Sequence, residues 1–356
     1  MLYLSSSFAD ATVYGTFDQA YRSDKTTMST AAANTKKGID SVLNGGMAIG
    51  FKGSEDLGSG LTASFVAEIG FEPSDPYTAY SATGTQGLTG TSTAPAVSNG
   101  VNNRQSFVGL AGGFGSLTVG RQYSNIFMAT CGNDVGGCAN MVGNLAIMTA
   151  TDASLDVRRA NQVNYNLPSF APGLTIQVGK SYGEKVNVGA NSTNNAGDGS
   201  NYTFGYSTSG ISATYASETV DNTGQFGGYV NAQGALATSK RKTNVMALSY
   251  DASVVKLHFT NTKSSIGTGV SKATMYGVSA PLGSSASIGF EMGTGDTKTI
   301  ASTTTSKLKG SQLAFNYSLS KRTIAYFRQG SSSETTAAGI NAAKASTTAF
   351  GISHNF

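Results

Sequence analysis

Residues 61–72, LTASFVAEIGFE, alternate without a slip. Leu61, Ala63, Phe65, Ala67, Ile69 and Phe71 take one parity, and Thr62, Ser64, Val66, Glu68, Gly70 and Glu72 take the other. Period two sustained for this long predicts a strand with one apolar face. The pattern returns in NYTFGYS (201–207), GISATYA (210–216), SVVKLHFTN (253–261), SASIGFEMG (285–293) and SQLAFNYSL (311–319), each with one parity apolar or aromatic and the other polar or tiny. Short turns such as SEDLGSG (54–60), STSG (207–210) and PLGSS (281–285) separate these runs from long polar stretches near 23–40, 73–103, 124–155, 184–199, 220–240, 264–271, 295–306 and 331–345. Short connections at one end and long ones at the other predict an up-and-down antiparallel meander of sixteen strands, with both chain ends on the short-turn side.

Composition decides which way the apolar parity points. The chain has 45 Gly, only 6 Pro and 12% charged residues, and its mean hydropathy of -0.12 alone reads as that of a soluble protein. No window holds the ~20 uninterrupted apolar residues of a membrane-spanning helix, and no stretch keeps a helical period, so the chain reads as all-β. Yet 16 Tyr and 17 Phe need a destination. A closed sheet this wide cannot fill its interior with side chains, so an apolar lumen would be a void. The polar parity therefore lines the cavity and the aromatic parity faces lipid, where a closed ladder pairs every backbone group. The last residues, TAFGISHNF, fit a closing strand whose final ring, Phe356, sits at the lipid boundary.

Candidate chemistry is sparse. Cys131 and Cys138 lie close together in CGNDVGGC, which suits a local disulfide in an exported protein, with free thiols as the other reading. A zinc site would want further ligands that the two distant His residues do not supply, so no metal and no cofactor are expected. Residues 1–9, MLYLSSSFA, resemble the tail of a signal sequence or a short leader, which leaves 10–356 as a single barrel domain. His354 lies on the lipid-side parity and His258 lies alone on the inner one, with no G-x-S-x-G, H-E-x-x-H or phosphate loop, so no enzyme is expected. A net charge of +4, scattered along the chain, argues against a nucleic-acid partner.

GFKGSEDLGSGLTASFVAE (50–68), NRQSFVGLAGGFGSLTVGRQYS (103–124), NYNLPSFAPGLTI (164–176), NYSLSKRTIAYF (316–327) and the terminal HNF, with YGTFD (14–18) at the start, together resemble the general diffusion porins of Gram-negative outer membranes, of β-proteobacterial type. The resemblance implies a homotrimer of sixteen-stranded barrels in the outer membrane, among lipid and lipopolysaccharide, passing small hydrophilic solutes and ions. It also implies an inward-folded third loop, about 124–155 here, and a C-terminal aromatic, Phe356, read by the assembly machinery. Loop carboxylates would face a basic wall across the constriction: Asp134, Asp152 and Asp156 against Arg104 and Arg158. Asp134 could instead shape a turn, and Asp152 and Asp156 could cap the loop's end. By parity Arg104 is grouped with Ser106 and Val108, opposite Phe107, and Arg158 with Gln162 and Asn164; both sets are taken as lumenal. Asp18, Arg22 and Glu68 are expected to line the pore, whereas Arg121 points outward and suits a subunit contact. Ala48 and Asn164 stand where relatives often carry Arg, which thins the basic wall. A solute-specific channel for a sugar or small organic anion, or a surface adhesin or receptor barrel, are the alternatives.

Overall fold

A computed structural model describes residues 10–28, 31–43, 46–71, 101–138, 142–146, 157–183, 198–221, 240–266, 269–298, 305–336 and 341–356. The strands are β1 (Asp10–Met28), β2 (Ala31–Asp40), β3 (Met47–Gly58), β4 (Leu61–Phe71), β5 (Val101–Gly112) and β6 (Gly115–Tyr123). After a short helix, α1 (Asn125–Cys131), come β7 (Arg158–Asn166), β8 (Leu174–Ser181), β9 (Gly199–Thr208), β10 (Ile211–Asp221) and β11 (Lys240–Asp251). The chain then runs through β12 (Lys256–Ile266), β13 (Gly269–Leu282), β14 (Ala286–Lys298), β15 (Thr305–Ser318), β16 (Thr323–Thr335) and β17 (Asn341–Asn355).

Each strand pairs antiparallel with its neighbours, and β17 returns to β1 in a register that runs from Thr16↔Asn355 to Met28↔Ala343. Gly15 and Phe356 exchange both backbone hydrogen bonds at 3.1 Å, so the ladder is closed to the last residue. The seventeen segments fill sixteen barrel positions because β2 and β3 share one: β3 pairs with β1 at Asp10–Thr16 and β2 pairs with it at Ala20–Met28. Between them the chain steps inward. Val42 and Leu43 bury themselves against Ala20, Tyr326 and Ala349 on the inner surface.

The inversion expected from composition is present. Phe290 is 42% exposed while its neighbour Glu291 is 3%, and Phe17 is 46% exposed beside a fully buried Asp18. Outer side chains meet lipid and inner ones meet each other and the lumen. At the short-turn end, Ser59–Gly60 and Ser209–Gly210 carry positive φ at both central residues (53° and 76°, 38° and 83°), the geometry whose twist suits a two-residue hairpin.

Two expectations need correction. Stretches 23–40, 264–271, 295–306 and 331–345, read as long loops, lie largely in strand. Beyond the lipid both faces of a strand are wet, so alternation vanishes although the ladder continues; residues 33–39 of β2 are exposed on both faces. The chain also holds one helix among its described elements, α1, capped by the Ser124 hydroxyl, which accepts the Phe127 N–H at 3.1 Å. Two turns of helix are too short to show a period in sequence.

Candidate functional site

The bare part of the inner wall is built on β1 and β3–β7. Register aligns Tyr14 with Gly50 and Gly50 with Glu68, and the Tyr14 ring fills the space that Gly50, lacking a Cβ, leaves open. Glu68 accepts from the Tyr14 hydroxyl at 3.0 Å and from Arg104 Nε at 2.7 Å, both charges being buried. Arg104 also donates to the Tyr123 hydroxyl at 2.8 Å, and Arg158 donates to the same oxygen at 3.1 Å while its guanidinium lies 4.7 Å from the Tyr123 ring centre. Tyr123 in turn stacks on Phe127 of α1, with ring centres 5.2 Å apart. Two arginines and one carboxylate therefore converge on a tyrosine at the root of the loop. Among the described residues no carboxylate pairs with Arg158.

Both arginines reach this cluster by irregularities that simple parity misses. On β5, Val108 is 60% exposed and faces outward, and Phe107 lines the lumen, the reverse of the grouping read from sequence. Arg104 is the extra residue of a bulge: Glu68 pairs with Gln105 and Ile69 with Asn103, and the slip brings Arg104 onto the inner face. A second slip separates Arg158 from Gln162 and Asn164, with Asn161 at φ 50°. Because of it, the buried inner residue beside them is Arg159, which sequence parity passed over. Arg159 pairs with Glu218 of β10 at 2.5 Å.

The loop lies along the rest of the inner wall. Its two ends meet where Ser124 N–H donates to Val157 O at 3.1 Å. Ile126 and Ala129 of α1 pack on Ala216 and Val245. Asn125 Nδ2 donates to the backbone oxygens of Tyr202 and Ser217, and Asn133 Nδ2 to those of Leu248 and Phe259, so each amide bridges two adjacent strands. Val135 then sits over Gly277 and Gly289, where a side chain on the wall would crowd the loop, and Leu145 over Gly310, where one would collide with it. Arg328 Nε donates to Gly136 O at 3.1 Å.

Asp134 belongs to this docking. Its oxygens accept the N–H groups of Gly136 at 3.1 Å and Cys138 at 2.6 Å, the Asn144 amide at 2.9 Å and the Gln312 amide. Burial pushes its carboxyl upward from the ordinary value, against the pull of these donors. It turns the loop, the second of the two readings open in the sequence, and clamps it to β15. Cys131 and Cys138 are joined in a disulfide around it. Asp152 and Asp156 lie outside the described residues, as do residues 1–9.

Asp18 points inward but does not meet pore water, because the inward step covers it. One of its oxygens accepts the N–H groups of Val42 and Leu43 at 2.5 and 2.8 Å. Arg22 is held by Asp24 at 2.7 Å and Asp40 at 3.6 Å, eight residues and about 27 Å of strand beyond Tyr14. Arg121 faces outward and donates to Asn103 O at 2.8 Å, a carbonyl of the β5 bulge. Ala48 and Asn164 are buried on the inner face. Sequence reasoning missed Tyr123, Gln312 and Arg328; inner parity marks Arg328 opposite Phe327 and Gln312 opposite Leu313. Between α1 and the wall remains a cleft of about 580 Å³ lined largely by neutral amides and hydroxyls, among them Gln122, Asn164, Gln177 and Thr203, with Lys256 its one charged residue among those described.

A closed sixteen-position barrel with lipid-facing aromatics and an inward loop can be set beside known proteins. A family model described as Gram-negative porin matches residues 2–337. The chain belongs to the Gram-negative porins. This is a family of outer-membrane channels rather than enzymes, and the barrel is one of the Gram-negative outer membrane. Major outer membrane protein P.IB of Neisseria lactamica is 29% identical over 212 residues, which is 59% of this chain and 54% of that protein. The Neisseria gonorrhoeae protein of the same description is 31% identical over 211 residues, 58% and 51% of the two chains. This porin spans about half the length of the curated relatives it matches. In fold it is similar to the anion-selective porin from Comamonas acidovorans, with a TM-score of 0.73 at 21% identity over 98% of this chain and 100% of that one. Salmonella typhi OmpF gives 0.67 at 15% identity, covering 98% of each chain. A trimer form of Vibrio cholerae OmpT gives 0.59 at 10% identity, covering 97% and 99%.

Proposed function

We propose that this porin is a passive channel: small hydrophilic solutes and ions diffuse through a water-filled lumen narrowed by the 124–155 loop. The carrying observation is that polar and charged side chains face inward while the described part of the loop is fixed along one arc of the wall, with the Tyr14–Glu68–Arg104–Tyr123–Arg158 cluster at its root. Glu68 and Arg104 compensate each other, so Arg158 sets the local field there, and charges in a narrow low-dielectric passage count for more than at an open surface. Homotrimers are the proposed assembly, with outward Arg121 near the subunit contact, and Phe356 is proposed as the residue read by the assembly machinery. Planar-bilayer recording tests the reading. Ohmic, nanosiemens-scale steps in threes support it, and a folded barrel that conducts nothing would sink it in favour of a receptor role.

A solute-specific channel is the second reading. The neutral amide lining of the cleft favours it, since such groups bond uncharged polyols without preference for charge. Block of the salt current by sucrose or raffinose, beyond that from polyethylene glycol of equal size, would select it.

A further inference from the structure

Cys131 and Cys138 close a small ring at the foot of the pore loop, their Cα atoms 5.1 Å apart. Between them stand Gly132, Asn133, Asp134, Val135, Gly136 and Gly137. This short stretch holds the loop to a run of strands from β11 to β16. Asn133 Nδ2 donates to Leu248 O of β11 and Phe259 O of β12, and the Asn133 carbonyl accepts from His258 Nδ1 at 3.2 Å. Val135 rests on Gly277 of β13 and Gly289 of β14. Asp134 accepts from Gln312 of β15, and Gly136 O accepts from Arg328 of β16. Much of the loop's grip on that side of the barrel therefore passes through the ring.

The enclosed stretch is not stiff by itself. Half of its residues are glycine, which gains the most backbone freedom when a turn opens. Gly137 and Cys138 both have positive φ, 72° and 58°, and a residue with a Cβ rarely keeps that conformation unless its surroundings hold it there. The cross-link does so, together with the Asp134 oxygens that accept the Gly136 and Cys138 N–H groups. Val135 is the one apolar side chain between the two cysteines, so no core takes over when the cross-link is cut. Access is also provided for. Both cysteines are half-buried, and Gly132 and Gly137 beside them are exposed. Inside a closed barrel the water they meet is that of the lumen, and a disulfide within reach of solvent is the kind open to thiol exchange.

We propose that the Cys131–Cys138 disulfide is a thiol-exchange site inside the pore, at which low-molecular-weight thiols entering the lumen reduce the cross-link and loosen the foot of the loop. One thiolate attacks a cysteine sulfur, the S–S bond breaks as a mixed disulfide forms, and a second thiol resolves it. Two electrons and two protons pass to the cysteines, and the thiol pair leaves as its own disulfide. The effect on current rests on the channel reading above, whereas the exchange and the loosening do not. The test uses the folded full chain in neutral detergent, treated with dithiothreitol and then with the thiol oxidant diamide. Dithiothreitol is expected to free both cysteines for maleimide labelling while the barrel stays folded, and to speed deuterium exchange at the Gly136 and Cys138 N–H groups on the order of tenfold. Diamide should reverse both changes. A thiol carried on a polyethylene glycol too wide to enter the barrel should leave the disulfide intact. In bilayers, reduction should make the single-channel current higher and noisier, and C131S/C138S should show that state without responding to dithiothreitol. Thiols that appear only after the barrel unfolds, equally fast reduction by the polymer-borne thiol, or unchanged exchange at Gly136 and Cys138 after full reduction would each overturn the proposal. Reduction and reoxidation of one wild-type sample decide the matter even if the serine variant fails to fold. A barrel that conducts in neither state yet exchanges faster when reduced would sink the channel reading and leave this one standing.

Discussion

Two arcs of the inner wall, β9–β16 and β1–β8, use polar residues in opposite ways. Under the loop, the wall presents glycine where the loop needs room (Gly277, Gly289, Gly310), and its free hydrogen-bonding groups are taken up by Asn125, Asn133, Asp134 and Gly136. On the bare arc the inner positions carry Tyr14, Lys52, Glu68 and Arg104, which bond to one another across strands. The first arc is built to be covered by the loop, whereas the second pairs its buried charges with one another. The loop buries apolar area chiefly at Ile126 and Leu145, so its position depends on a few well-satisfied polar clamps as well as on these two small clusters.

For conductance the clamp at Asp134 should matter most. D134A removes the acceptor that the N–H groups of Gly136 and Cys138 and the amides of Asn144 and Gln312 share, a loss on the order of 3 kcal/mol in loop docking. The β ladder is untouched, so heat resistance of the barrel should persist while single-channel conductance rises and becomes noisy. A quiet, wild-type conductance would mean that the loop is held elsewhere.

Overfilling the covered arc is the second lever. A Cβ on Gly310 would lie 2.5 Å from Gly143 O and 2.7 Å from Leu145 Cγ, so G310V should cost about 1–3 kcal/mol in loop docking. Its conductance should move in the same direction as that of D134A but less. Valine at Gly38, whose Cβ would meet nothing within 4 Å, should change neither conductance nor noise. If both valine variants behave alike, the glycines under the loop are not sockets.

The barrel was legible in the sequence because lipid enforces period two: wherever Phe, Tyr, Leu and Ile sit on one parity, the structure has a strand facing out. Legibility failed where that force stops. Above the lipid, β2 continues with both faces wet and was taken for a loop. At the bulges of β5 and β7 a single extra residue reverses parity, so Arg104 reached the lumen for a reason other than the one read from Ser106 and Val108, and Arg159 was overlooked. The loop's partners are 77 to 192 residues away in sequence, as with Asn125 and Tyr202 or Gly136 and Arg328. No local pattern encodes such a pairing.

The finest test lies within this second arc, between a charge that has a carboxylate partner and one that has none among the described residues. Arg104 and Glu68 are both buried and paired at 2.7 Å, so R104Q strands a carboxylate and should lower barrel stability by about 3–5 kcal/mol. Adding E68Q should recover most of that loss, because the pair goes as a unit and the remaining amides can still bond Tyr14 and Tyr123. Among the described residues Arg158 has the Tyr123 ring and hydroxyl to lose, so R158Q should cost about 0.5–1 kcal/mol. The reversal potential in a salt gradient should order the three differently. R158Q removes an uncompensated cation and should move selectivity toward cations, whereas R104Q/E68Q removes a neutral pair and should leave it near the wild-type value. A shift in the double variant equal to that in R158Q would mean that the Glu68–Arg104 pair is itself felt by passing ions, and that neutralisation across strands does not screen the bare wall.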